Sequence, residues 1–238
     1  MLGIKEWNLD SMMFTYLWSP FKWVGKQLQF LQSNIFLGLL ALAGCVLLVI
    51  GYTDPHMIPS LEGALPIILM SIALDVILFG FSYRQSALKA WMYLLIAHSF
   101  ILAAILFNAQ HIHINPIEVF FYASGILPAF LLGYYCLQKI KAIDNDISLN
   151  QYHGYVYEQE TTRLLFLFAG IGMLGFPITA AFIGIDVMFT YVHSDQTALI
   201  ILMALCLAFI ELSAFRILLR IFMGPHKKLN HPVAFRST

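Results

Sequence analysis

The apolar residues of this 238-residue chain are gathered into six long stretches separated by short, more polar connections. Each stretch is about long enough to cross a bilayer as a helix, which takes about 20 residues. The pattern therefore predicts six transmembrane helices, over residues 35–52, 61–81, 88–107, 116–137, 164–191 and 198–223.

The fifth stretch is too long for one straight span, and it contains Gly175 and Pro177. Proline has no backbone N–H and its ring clashes with the turn before it. We therefore expect a broken helix, made of two half-helices in one crossing, with Gly175 and Pro177 at the break. Non-helical backbone at that depth requires cover by protein or by a water-filled cavity.

The first 34 residues carry a different pattern. Apolar residues such as Leu9, Met13 and Leu17 recur at helical spacing, while Lys22 and Lys26 lie elsewhere around the helix. This pattern predicts an interfacial amphipathic helix on the cytoplasmic face, acting either as a membrane anchor or as a brace across neighbouring subunits. The predicted organisation is an interfacial segment at 1–34, a six-helix transmembrane domain at 35–225 and a cytoplasmic tail at 226–238.

The composition agrees with a membrane protein. Hydrophobic residues make up 60% of the chain and charged residues only 11%, whereas soluble domains carry about 25% charged residues. The formal net charge of zero gives no electrostatic reason to bind nucleic acid. Cys45, Cys136 and Cys206 lie in apolar runs without metal-ligand spacing and are interpreted as packing residues. We expect an all-α integral membrane protein of a bacterial inner membrane or an equivalent membrane, without metal or cofactor.

The positive charges predict the orientation. All 13 Lys and Arg residues fall in the N-terminal segment, around the connections after the second and fourth spans, or near and beyond the end of the sixth span. The connections 53–60, 108–115 and 192–197 contain none. Because positively charged loops remain in the cytoplasm, both termini are predicted to be cytoplasmic.

Four residues with a carboxylate or imidazole side chain lie well inside the predicted spans, away from their ends: Asp75, His98, Asp186 and Glu211. A charge at the bilayer centre costs about 2.5–3.5 kcal/mol on insertion scales, so each of these residues is a candidate for function. Carboxylates and imidazoles can relay protons because burial and neighbouring charges shift their pKa. We interpret the four as a proton path. The alternative for each is a neutral or paired group that bridges helices.

Polar residues near the membrane surfaces have simpler interpretations. Glu118 lies near the outer start of the fourth span and can be solvated, and Arg216 can extend toward the inner surface. Histidines in the outer connections, including His111 and His113, could gather a metal but are interpreted as surface residues. The sequence contains no phosphate-binding glycine loop and no nucleophile elbow, so no catalytic site is expected in this chain.

Residues 175–186 resemble the broken helix of the antiporter-like family. That family includes the large proton-pumping membrane subunits of respiratory complex I, Mrp-type sodium/proton antiporters and the membrane subunit of inorganic-carbon transporters. Its pattern is similar to Gly-x-Pro-x-x-x-Gly-Phe-x-x-Lys-Asp/Glu. The matching residues are Gly175, Pro177, Phe182 and Asp186, whereas Ala181 replaces a glycine and Ile185 replaces the lysine.

The resemblance extends loosely over residues 61–228, which look like the second half of a family member that has two inverted repeats. It implies a membrane subunit of a proton-coupled complex, either an energy-converting pump or an inorganic-carbon uptake system. The implied partners are membrane subunits that supply the missing half and, for carbon uptake, a large cytoplasmic zinc-binding subunit. No lysine lies within a predicted span apart from Lys89 at the start of the third. The alternative is therefore a non-conducting scaffold that anchors partner subunits in the bilayer.

Overall fold

A computed structural model of the chain describes residues 33–54, 56, 63–109 and 114–224. Those residues form seven α-helices and one 3-10 turn, Tyr155–Tyr157, without any strand. The helices are α1 (Asn34–Thr53), α2 (Leu65–Ser82), α3 (Ala87–Asn108), α4 (Pro116–Ile143), α5 (Glu160–Met173), α6 (Ala180–Phe189) and α7 (Thr197–Phe222).

Five helices of the described chain, α1 to α4 and α7, are long and apolar enough to cross a membrane. They coincide with five of the six predicted spans. The remaining span, the fifth, is represented by α5 and the short apolar helix α6. The prediction of an all-α integral membrane protein is confirmed.

The chain divides into two compact units, Met1–Ala43 and Gly44–Thr238, with the boundary inside α1. The structure describes only residues 33–43 of the first unit, which contain the start of α1. The Ser33 hydroxyl accepts a hydrogen bond from the backbone N–H of Phe36 at 3.1 Å, as an N-cap residue does. Nearly all of the predicted interfacial segment 1–34, and the tail 226–238, lie outside the described residues.

The centre of the second unit is α3, because 17 of its 22 residues are buried. It contacts α2, α4 and α7. Two glycines of α1 also lie against it, Gly44 beside Ser99 and Gly51 beside Leu106. Residues without a bulky side chain allow close helix approach, which is a main source of helix association in lipid.

The N-terminus of α4 is well specified by sequence. The side chain of Asn115 accepts a hydrogen bond from the Ile117 N–H at 3.1 Å, and Pro116 occupies the first turn, where its missing N–H is harmless. Glu118 places a negative charge near the positive end of the helix dipole. These features place the start of α4 at the position that the sequence predicts.

The helices α4 and α6 approach each other closely through small residues. A side chain at Gly125 would collide with the backbone of Ala181, and one at Gly184 would collide with the backbone of Tyr122. Gly125 thus lies opposite Ala181, and Tyr122 lies opposite Gly184. Because the earlier residue of α4 faces the later residue of α6, the two helices are antiparallel. This contact holds the second half-helix against α4.

The predicted break in the fifth span is confirmed, because residues 174–179 between α5 and α6 are not helical. Gly175 has a φ of +63°, the left-handed conformation that glycine adopts without strain. The Phe176 N–H bonds to the Ile171 carbonyl at 3.2 Å, and the Gly175 N–H bonds to the Gly172 carbonyl at 3.2 Å. This pair of bonds is a Schellman motif, which ends α5.

Candidate functional site

The one buried ionisable group among the predicted site residues is His98, in the middle of α3, with 2% of its surface exposed. Its Nδ1 lies 2.8 Å from the Tyr122 hydroxyl of α4. Its Nε2 lies 3.1 Å from the carbonyl oxygen of Met173, the last residue of α5. The imidazole therefore joins three helices at the break in the fifth span.

The break explains why the Met173 carbonyl is free to accept this bond. In a continuous α-helix, a carbonyl accepts from the N–H four residues later. The residue four positions after Met173 is Pro177, which has no N–H. His98 supplies the donor that the proline removes, so the side chain of α3 caps a backbone group that would otherwise be buried without a partner.

The partners of His98 determine its proton arrangement. A carbonyl oxygen can only accept, so Nε2 carries the proton that bonds to Met173. In a neutral imidazole the other nitrogen is then an acceptor, and the Tyr122 hydroxyl donates to Nδ1. A neutral ring satisfies both of its nitrogens in this setting.

The three predicted carboxylates occupy a different environment. Asp75 on α2, Asp186 on α6 and Glu211 on α7 all have exposed side chains. His98 has Tyr122 and Met173 as its hydrogen-bond partners, not a carboxylate. In this structure, therefore, the three carboxylates and His98 do not form one continuous proton path inside the protein.

The position of Asp75 relative to α7 is nevertheless informative. Asp75 lies within electrostatic range of the buried Cys206 thiol of α7, and that thiol lies 3.7 Å from the Met70 carbonyl of α2. The helices α2 and α7 also meet further along, where the rings of Phe81 and Phe209 are 6.4 Å apart. Asp75 is thus carried by a helix that packs along the helix bearing Glu211.

A second polar cluster, not predicted from sequence, lies where α3 ends and α4 and α7 begin. The Asn108 side chain donates to the Tyr191 carbonyl at 2.8 Å and accepts from the Gln196 side chain at 2.8 Å. The Tyr191 hydroxyl donates to the carboxylate of Glu118. Glu118 is therefore hydrogen-bonded to the protein instead of only to water. Its position in the first turn of α4 was the only signal for this role.

The connection between α4 and α5 is fastened to the ends of neighbouring helices. The Leu149 N–H bonds to the Arg84 carbonyl at 2.7 Å, and the His153 N–H bonds to the Arg220 carbonyl at 2.9 Å. These two hydrogen bonds hold the connection 144–159 against the ends of α2 and α7.

One hydroxyl in that connection is held in its neutral form. Burial raises the pKa of Tyr155, and its hydrogen bond to the carboxylate of Asp144 raises it further. Tyr155 therefore remains a donor to Asp144 throughout the physiological range. This bond closes the connection on itself just before α5.

Metal binding finds no support in the described part of the chain, where no group of three or more His, Cys, Asp or Glu residues could hold an ion. His111 and His113 lie outside the described residues, so their interpretation as surface residues stays a prediction. No family model matches the chain, and no curated protein matches it in sequence. The resemblance to the antiporter-like family therefore rests on the residues that carry it.

Proposed function

We propose that this chain is one membrane subunit of a larger, proton-coupled complex. The observation that carries the proposal is the exposure of Asp75, Asp186 and Glu211 on apolar helices. Lipid cannot solvate a carboxylate, and a charge at the bilayer centre costs about 2.5–3.5 kcal/mol on insertion scales. A partner subunit that covers these side chains with polar groups or water removes that cost.

The proton path of the proposal runs along this interface. The exposed carboxylates face the partner, which completes the relay that one chain alone lacks. In this proposal His98 and Tyr122 form a buried, hydrogen-bonded pair beside the break, next to the path. The partner then corresponds to the missing half that the antiporter-like resemblance implies.

The proposed orientation has both termini in the cytoplasm, on the basis of the segregated lysines and arginines. The driving process is either redox energy conversion or inorganic-carbon uptake, because these are the activities of complexes in the resembled family. The second case adds a large cytoplasmic subunit. Asp186, on the half-helix after the break, serves the outer half of the path.

A second candidate function is a non-conducting scaffold. The geometry of His98 favours it, because both ring nitrogens are engaged in bonds that hold three helices together. In this role the exposed carboxylates recognise partner subunits through hydrogen bonds and ion pairs. Both candidates require a partner, but only the first requires titration of the carboxylates.

The experiment that tests the proposal is purification of the full chain from its native membrane in mild detergent, with photo-crosslinkers at Ile183 and Ala208. Both residues are exposed, and each lies three positions before a carboxylate, Asp186 for the first and Glu211 for the second. We expect crosslinks to a co-purifying membrane subunit from both positions. Leu131 on α4, also exposed but remote in sequence from these carboxylates, reports non-specific capture. A monodisperse, folded monomer without crosslinks would contradict the proposal.

A further inference from the structure

A cleft of about 510 Å³ opens where α2 and α7 end. Arginines from both sides line it: Arg84 follows α2, and Arg216 and Arg220 belong to the last turns of α7. Tyr152, from the connection before α5, closes another side. The cleft is separate from His98 and from the carboxylates of the proposed proton path.

The three arginines are held in place by aromatic rings and by backbone bonds. The guanidinium carbon of Arg216 lies 5.1 Å from the centre of the Phe81 ring, and that of Arg220 lies 4.4 Å from the centre of the Tyr152 ring. A guanidinium that stacks on a ring keeps its N–H donors free for an anion. The backbone carbonyls of Arg84 and Arg220 accept hydrogen bonds from the connection 144–159.

The charges in the cleft are not balanced by the described part of the chain. Arg216 lies within electrostatic range of both Arg84 and Arg220. Among the described residues, the arginine with a carboxylate within 4.0 Å is Arg163, which pairs with Glu160. Three positive groups that repel one another around one cleft favour the binding of an anion.

We propose that this cleft binds the phosphate group of an anionic phospholipid. Guanidinium groups match the oxygens of a phosphate through paired N–H donors. The apolar side chains of Leu212, Phe215 and Leu219 line the same cleft and are exposed. They offer a surface for an acyl chain, which a free phosphate would not use. The arginines therefore recognise the phosphate of the lipid, and the apolar side chains contact its acyl chain.

The position of the cleft fits a lipid headgroup. The arginines lie at the ends of two membrane-spanning helices, which is the depth of the polar headgroups. Basic side chains near a membrane surface each gain about 1 kcal/mol from anionic lipid. In the proposed orientation, this end of the helices faces the cytoplasmic leaflet. The binding of lipid here does not depend on whether the complex moves protons.

The test measures thermal protection of the full chain, purified in detergent with its co-purifying subunits, by added phosphatidylglycerol. We expect protection by phosphatidylglycerol at concentrations where phosphatidylcholine gives none. Each of Arg216→Gln and Arg220→Gln should raise the half-protecting concentration about fivefold, the equivalent of one basic contact. Arg216→Lys keeps the charge but loses the paired donors and the stacking on Phe81, so it should weaken binding, though less than Arg216→Gln does.

The matched control is Arg163→Gln, which removes one positive charge outside the cleft and should leave the protection unchanged. If the α7 variants do not assemble, Arg84→Gln provides the same test from the end of α2. Equal protection by phosphatidylcholine would overturn the proposal. Equal protection by inorganic phosphate would also overturn it, by identifying a soluble anion as the ligand. An equal loss in Arg163→Gln would show a general charge effect and reject the cleft.

Discussion

The Nε2 atom of His98 lies 3.1 Å from the carbonyl oxygen of Met173, the acceptor that Pro177 leaves without its helical partner. One side chain of the central helix thus compensates for the break in another helix. Breaks of this kind occur within membranes only where protein or a water-filled cavity covers them. Here the cover consists of α3 on the carbonyl and α4 against the second half-helix.

We predict that His98→Leu destabilises the protein. The substitution leaves the Met173 carbonyl and the Tyr122 hydroxyl unpaired in an apolar interior, at a cost of about 1–3 kcal/mol for each buried group. Tyr122→Phe should cost less, because it removes a hydroxyl and leaves only Nδ1 without a partner. Thermal unfolding of the purified complex measures both. Equal midpoints for His98→Leu and the wild type would show that the ring does not cap the break.

We predict that Gly175→Ala also destabilises the protein. Its φ of +63° is a conformation that costs residues with a Cβ atom about 1–2 kcal/mol. The added methyl group would also meet the Ile185 side chain of α6. Gly170→Ala is the matched control, because its new Cβ would have no neighbour within 4 Å. Thermal unfolding should show a lower midpoint for Gly175→Ala and an unchanged or higher one for Gly170→Ala.

The break could be predicted from the sequence because its cause is local. The backbone nitrogen of Pro177 cannot donate a hydrogen bond in any environment. Position 175 is a glycine, which readily adopts a positive φ. The same holds for the start of α4, where Asn115 and Pro116 act on the adjacent turn. Rules that apply within one or two turns of a helix need no knowledge of the rest of the fold.

The directions of the carboxylates could not be predicted, because their helices have no polar face that would set a rotation. Around Asp75, nearly every residue of α2 is apolar, so the sequence does not distinguish the side facing protein from the side facing lipid. The link between His98 and Met173 depends on how α3 and α5 pack, across 75 positions of sequence. Such contacts follow from the tertiary arrangement and not from periodicity.

The predicted orientation is tested by fusing a reporter that is active only outside the cytoplasm. Fusions within 53–60 or 192–197 should be active, because these connections lack lysine and arginine. Fusions at Arg84 or Asn150 should be inactive. Activity at Asn150 would place the connection 144–159 on the outer side and contradict the six-span arrangement.

The most direct test of the central proposal is proton uptake by vesicles that contain the purified complex, driven by an imposed membrane potential. Asp186→Asn keeps the shape of the side chain but abolishes its titration, so we expect assembly to remain normal and proton uptake to fall strongly. Asp195→Asn, in the exposed connection before α7, removes a carboxylate outside the path and should leave proton uptake unchanged. Normal proton uptake by a fully assembled Asp186→Asn complex would contradict the relay. If Asp186→Leu then prevented assembly, the residue would be a structural contact to the partner.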